Sequence, residues 1–171
     1  MWYADALGLY AANGIAMLSR QTLLGGDYEM INRTTGLPNP DFYVALLWHD
    51  LVGTDVYGVT LDGCSDPGCR GAVRVYAHSA LRGGSATVLM ALNFATSAAA
   101  GLEIKLPRSV AGARVNAEAC ELWQIRGAKG ATVDDITING APANLSPPAA
   151  PCDPGATLVL PPTSISFVRL S

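Results

Sequence analysis

Residues 20–32 read RQTLLGGDYEMIN: an arginine and an amide, an apolar run, then two glycines, an acid and an aromatic. What flanks this stretch decides the fold. Upstream, Trp2, Ala6, Leu9 and Tyr10 recur at helical spacing, which predicts an amphipathic core helix closed by Gly14. Ile15–Leu24 is mostly apolar and suits a buried parallel strand. Gly25–Pro40 is rich in Gly, Asn, Thr and Pro and reads as a loop. Asn39 and Pro40 then open a second helix, expected over Asp41–Val52. Phe42, Ala45, Leu46 and Leu51 give it a core face, and Gly53 ends it. Helix, strand, loop and helix in this order are the grammar of the last turns of an α/β barrel.

After residue 53 helical periodicity stops. Strand candidates are Val56–Leu61, Val73–Ala77, Thr87–Asn93, Leu102–Leu106, Arg114–Gln124, Thr132–Ile138, Thr157–Leu160 and Ser164–Leu170. Turn signals separate them, among them Arg82-Gly83-Gly84, Asn139-Gly140 and Pro161-Pro162. Ala141–Pro154 is rich in Pro and Ala and reads as a surface loop. The expected fold class is α/β plus all-β: the last helix–strand–helix of a (β/α)8 barrel, residues 1–53, followed by an antiparallel β-sandwich, residues 54–171. One parallel strand and two helices leave most of their apolar faces unpartnered, so the first segment needs a partner.

Composition bounds the function. Of 171 residues, 50% are apolar and 15% charged, enough to bury a core. A net charge of -3 gives no electrostatic case for nucleic acid. The N-terminus lacks a basic region and carries Asp5, so it reads poorly as a signal peptide. Residues 83–102 are uncharged and about the length of a membrane span, but polar residues interrupt them and they read as strands. Four cysteines invite disulfides: Cys64 with Cys69 in a turn-rich loop, and Cys120 with Cys152, although sequence alone does not fix the pairing. No second Cys pair or His cluster accompanies them, so a metal site is not expected. Asn32 and Asn144 head N-glycosylation sequons, and with the even cysteine count they lean toward a secreted or lumenal chain.

If Ile15–Leu24 is a barrel strand, the loop after it lies at the catalytic face. Gln21 would then point into the mouth, where its amide can donate to and accept from sugar hydroxyls. Gly25 and Gly26 allow a tight turn and let backbone N–H groups approach a ligand. Tyr28 offers a flat ring and a hydroxyl. Such a set suits sugars, whose C–H faces stack on aromatics. Arg20 reads as half of a structural ion pair, with Asp27 and Glu29 nearby. Retaining glycosidases need two carboxylates held close across the scissile bond, and nothing obvious holds Asp27 and Glu29 in that way. His49, His78, Trp48 and Trp123 read as structural or packing residues.

Several strings in order carry a family resemblance: WYADALGLYA, RQTLLGGDY, PNPDFYVALLW, RVYAHSA, VLMALN and PPTSISFVRL. Together they resemble the C-terminal part of heparanase-like glycoside hydrolases, most closely the plant-type proteins related to plant β-glucuronidases. The resemblance implies a (β/α) barrel with an appended β-sandwich. It implies cleavage of β-linked glucuronosides with retention, by two glutamates on barrel strands upstream of this chain. It places Gln21, Gly26, Asp27 and Tyr28 at the substrate-binding rim. Asp27 stands where the family has Asn, which removes an amide donor and adds a charge that repels a uronate. Ser79 stands where the family has a disulfide Cys.

Met1 aligns with an internal family position, so a partial sequence or a truncated gene model is expected, inactive alone and lacking its upstream barrel segment. The expected partner is a glycan or glucuronide substrate. No cofactor is implied. The expected setting is secreted, extracellular or vacuolar/lysosomal, with any membrane association not due to a span in this chain. The alternative is a non-catalytic carbohydrate-binding or scaffold β-sandwich protein.

Overall fold

A computed structural model describes residues 1–62, 71–82, 84–103, 109–110, 113–114, 118–127 and 135–171, with the backbone alone at 102, 109, 110, 113 and 114. Two helices, α1 (Trp2–Ala12) and α2 (Pro40–Leu51), precede the strands β1 (Val52–Tyr57), β2 (Val73–Ala80), β3 (Thr87–Asn93), β4 (Ala100–Leu102), β5 (Ser109–Val110) and β6 (Ala113–Arg114). Then follow β7 (Cys120–Arg126), β8 (Thr137–Ile138), β9 (Ala141–Pro142), β10 (Ala150–Cys152), β11 (Leu158–Leu160) and β12 (Ser164–Leu170). The chain is mostly antiparallel sheet with two helices. One large sheet runs β1-β2-β3-β12-β7-β8-β9, and β10 shares the outer edge of β7 with β8. The ribbons β4–β11 and β5–β6 are separate.

Strand alternation sorts the central strands into two faces. On the helix side, strand register aligns Tyr76, Met90, Phe167 and Trp123 in one row, and Arg74, Leu92, Ile165 and Ile125 in the next. These rows form one core with Tyr3, Leu7, Tyr43, Val44 and Leu47 from the helices. Phe167, Met90 and Leu92 have no exposure, and each such side chain contributes about 1.5–3 kcal/mol of transfer free energy. On the other face Ala77, Leu89 and Val168 form a second cluster, with Leu122 and Leu158 against it. The β4–β11 ribbon is tied to that face by polar side chains. Asn93 Nδ2 donates to the Leu160 carbonyl at 2.9 Å, and Gln124 Nε2 to the Val159 carbonyl at 3.1 Å.

Helix α1 docks through two strings that are distant in sequence. Asp5 pairs with Arg74, and the Tyr76 hydroxyl donates to its other oxygen at 2.7 Å. Burial, then the Asp5 hydrogen bond and charge, pushes the Tyr76 phenol up to about 12. One turn on, Gly8 leaves room for the Tyr76 ring, which a Cβ there would strike. The face expected to be buried, Trp2, Ala6, Leu9 and Tyr10, is therefore not the docked one. Tyr3, Ala4, Leu7 and Gly8 are buried, while Trp2, Leu9 and Tyr10 are exposed. The helix is apolar nearly all round, and the positions of Asp5 and Gly8 select its face. In α2 the buried residues are likewise Tyr43, Val44 and Leu47, with Phe42, Ala45, Leu46 and Leu51 half-buried beside them.

Other boundaries also differ. Ile15–Leu24 is not a strand; Ile15, Met17, Leu23 and Leu24 are exposed, and residues 13–39 hold only the isolated bridge Ile31–Pro38. A parallel strand needs hydrogen-bonding neighbours, and the described chain supplies none there. Helix α2 passes directly into β1, so Gly53 lies in a strand and does not end the helix. Ala141–Pro154 contains β9 and β10 and is not all loop. Asn139 and Gly140, at φ 54° and 79°, make the tight turn between β8 and β9 that their sequence signals. Cys120 and Cys152 face each other across β7 and β10 and form a disulfide. Cys64 and Cys69 lie outside the described residues. Among the described residues, no helix is long and apolar enough to cross a membrane.

Candidate functional site

Arg20 organises the loop that follows it. Its Nη2 and Nε donate to Asp41 Oδ2 at 2.9 and 3.2 Å, and its Nη1 donates to the Gln21 carbonyl at 2.9 Å. The guanidinium carbon lies 5.0 Å from the Trp2 ring centre, 5.8 Å from Tyr3 and 5.9 Å from Tyr28. The expected ion pair therefore exists, but its partner is Asp41 on α2. Asp27 and Glu29 are engaged by Arg33 instead, at 3.9 and 3.4 Å. Trp2, Tyr3 and Asp41 were not singled out for this loop from the sequence. An aromatic at Trp2, read as a core residue, and the acid at the start of α2 were the only signals, and neither spacing nor periodicity connects them to Arg20.

The double glycine has two separate causes. Gly25 sits at φ 92°, where a side chain would be strained. Gly26 lies so close to the Thr22 hydroxyl that a Cβ would come within 2.9 Å of it. The turn closes on Glu29, whose two oxygens accept from the N–H groups of Gly25 and Arg33, each at 2.7 Å. The Arg33 N–H foremost, then those of Gly25 and Gly26 together with the Arg33 charge, hold this carboxyl below its usual range against a smaller opposing effect of burial. The glycine N–H groups thus face Glu29, not an outside ligand as their sequence suggested. Asn39, the residue before α2, joins the same hub: its Nδ2 donates to the Glu29 carbonyl at 2.7 Å.

Around this hub Gln21, Asp27 and Tyr28 are exposed, with Tyr28 at 75% and the Asp27 side chain at 96%. Gly26 is half-buried. The structure brings the four predicted contact residues onto one short exposed loop, with the Tyr28 ring steadied over Arg20. It does not set Gln21 at the end of a barrel strand. Chemically, the loop can stack a sugar face on Tyr28 and exchange hydrogen bonds with Gln21. It is poorly equipped for acid–base work, because the donors around Glu29 favour its ionised form and the Asp27 side chain projects into solvent.

The remaining sequence candidates lie elsewhere. His78 is buried in β2, with its ring centre 5.0 Å from that of Trp48 in an edge arrangement; burial lowers its pKa. His49 is exposed, with Nδ1 3.1 Å from Asp50 Oδ1. Trp123 is buried and donates to the Pro147 carbonyl at 3.0 Å. Of the sequon asparagines, Asn32 is half-buried and accepts from the Thr34 and Thr35 N–H groups, while Asn144 is exposed.

Comparison with solved structures places the fold. The fold matches an arabinofuranosidase from Xanthomonas axonopodis pv. citri with TM-score 0.57 at 17% identity, covering 99% of this chain and 34% of that one. It also matches a xyloglucanase from Paenibacillus polymyxa with TM-score 0.56 at 16% identity, covering 99% and 28%. This is a fold found in glycoside hydrolases. Sequence adds a likeness: the chain is similar to part of heparanase-like glycoside hydrolases. It is 38% identical over 111 residues to heparanase-like protein 1 of Arabidopsis thaliana, covering 61% of this chain and 19% of that protein. It is also 38% identical over 89 residues to the baicalin-beta-D-glucuronidase of Scutellaria baicalensis, covering 52% and 16%. The chain thus spans about a fifth or less of the length of these relatives. No family model matches it.

Proposed function

We propose that this chain is the C-terminal portion of a retaining glycoside hydrolase acting on β-glucuronides or uronate-containing glycans, its two catalytic glutamates lying on barrel strands outside these 171 residues. The observation that carries the reading is the 38% identity to heparanase-like and glucuronidase relatives. The loop chemistry supports it: an exposed aromatic and amide suited to a sugar, with no acid suited to catalysis. On this reading residues 1–53 close a (β/α)8 barrel and residues 54–171 form the β-sandwich.

In the retaining reaction one carboxylate attacks the anomeric carbon while the other protonates the leaving oxygen, and water then releases the sugar. This chain's part is positioning. Tyr28 stacks on the sugar and Gln21 pairs with its hydroxyls, on a turn that Gly26 packs tightly against Thr22. Asp27 repels a carboxylate on the sugar, which favours a substrate whose uronate group points away from the loop. The same reading makes the protein secreted, extracellular or vacuolar/lysosomal, with glycans on Asn32 and Asn144.

The test compares the 171-residue chain with a form extended upstream to a whole barrel, both assayed on a chromogenic β-glucuronide. Hydrolysis by the extended form alone is expected. Hydrolysis by the short chain, abolished by Asp27→Asn or Glu29→Gln, refutes the placement of the carboxylates. Sugar binding without hydrolysis by either form favours a non-catalytic carbohydrate-binding protein.

A further inference from the structure

At one end of the large sheet, Asn93, Ser164, Arg126 and Thr137 follow one another in register across β3, β12, β7 and β8. Here a hollow of about 480 Å³ opens, lined by Thr96, Arg126, Asp135, Thr137, Pro162 and Thr163, with Gly127 completing it. Its volume falls in the range of small-ligand sites. Alternation puts Arg126 and Thr137 on the face away from the helices, because their neighbours Ile125 and Ile138 belong to the helix-side core. The hollow is therefore distinct from the Gln21–Tyr28 loop.

Its chemistry is specific. Among the described arginines, Arg20, Arg33, Arg74 and Arg169 each face a carboxylate. The Arg126 side chain makes no hydrogen bond or ion pair with any described residue, which leaves its planar fork of donors open. The Thr96 and Thr137 hydroxyls can donate and accept, the Thr163 hydroxyl can accept, and their methyl groups with Pro162 supply apolar contact. The turn is rigidly built: Thr163 adopts φ 51°, rare for a β-branched residue. Its N–H and hydroxyl both donate to the Ala95 carbonyl, at 2.8 and 3.3 Å, and the Ala95 N–H donates to the buried Asn93 Oδ1 at 3.0 Å. A strained residue locked by hydrogen bonds beside an open cation is the kind of outlier that marks functional turns.

We propose that this hollow is a secondary carbohydrate-binding site for a glycan bearing a carboxylate, with the carboxylate on the Arg126 guanidinium and sugar hydroxyls on Thr96, Thr137 and Thr163. Only the ligand class rests on the proposed function. Asp135 shares the hollow, which limits the preference for an acidic over a neutral sugar to about three- to tenfold, below that of an isolated bidentate pair.

The test titrates the 171-residue chain with a tetrasaccharide of alternating glucuronate and N-acetylglucosamine, and with a neutral β-linked glucose tetrasaccharide, following backbone amide signals. Saturable shifts at Thr96, Thr137 and Thr163 are expected, tighter for the acidic sugar. Arg126→Gln abolishes the difference between the sugars. Thr163→Gly, which fits the left-handed turn while deleting the hydroxyl, weakens both without unfolding the chain. Shifts confined to the Gln21–Tyr28 loop, no saturable shifts with either sugar, or an unchanged preference in Arg126→Gln overturns the site. Shifts at the hollow alongside an inactive extended form reject the proposed reaction and leave the site standing; an active extended form with no shifts there rejects the site alone.

Discussion

Arg20→Ala should open the Gln21–Tyr28 loop while leaving the sheet intact. The side chains of Arg20 and Asp41 are only 12% and 21% exposed, so their interaction is not that of a surface pair. Removing a hydrogen-bonded charge in such a place costs about 1.5–3 kcal/mol. The stack on Trp2 adds about 0.5–1 kcal/mol. Asp41 recovers part of the loss by hydration once its partner is gone, leaving a net cost of about 2 kcal/mol, or roughly 30-fold in the population of open loop. The measurement is amide hydrogen exchange at Met30 and Ile31, whose N–H groups donate to the Thr22 and Leu23 carbonyls at 3.0 and 2.9 Å. Protection there should fall by about that factor, with the amides of central strand β3 as the reference. Arg20→Lys keeps the charge but loses the fork and the flat face, so it should fall between the two. Met30 and Ile31 protection unchanged within about threefold in Arg20→Ala would refute the argument, as would an equal loss in β3.

Three further perturbations test the core. Gly8→Ala should destabilise by about 1–3 kcal/mol because its Cβ strikes the Tyr76 ring, although helix propensity alone favours Ala by up to about 1 kcal/mol; the sign of the shift in thermal midpoint decides between them. Phe167→Ala should cost about 3–5 kcal/mol. Because Phe167 shares its core with Tyr43 and Val44, helix and sheet signals should be lost together in urea, and separate transitions would show that the helices are not docked. His78 is buried with its pKa pushed down, so the unfolded chain takes up a proton near pH ~6.5 and the folded chain only at lower pH. Its contribution is complete above that pH and declines as the pH falls through the window below it, by at most about 1.4 kcal/mol per pH unit. Urea titrations of His78→Leu should show a flatter decline between pH 7 and pH 5, and an unaltered slope would exclude His78 as its source.

Strands were legible where a single residue pattern determines them. Thr87–Asn93 and Ser164–Leu170 match β3 and β12 to the residue, because apolar content and the turn signals before them, Arg82-Gly83-Gly84 and Pro161-Pro162, frame them. The helices were legible as elements but not by face. Along α1 nearly every position is apolar or small, so periodicity allows several buried stripes. What decides among them is Asp5 meeting Arg74 and Gly8 meeting Tyr76, a match between strings almost 70 residues apart.

The candidate loop divides along the same line. Its turn chemistry is local and could be read directly, with Gly25 in the left-handed region and Gly26 against Thr22. The destination of its N–H groups could not, since Glu29 is as easily read as an outward-facing acid as an inward-facing acceptor. The apolar run Ile15–Leu24 failed for a different reason. Apolar character says what a segment is suited to meet, whereas a strand also requires neighbours for its backbone groups. In the described chain those neighbours are absent, so Ile15, Met17, Leu23 and Leu24 face outward together with Trp2, Leu9 and Tyr10. Residues that read as a buried strand in sequence thus contribute to the exposed apolar surface of the structure.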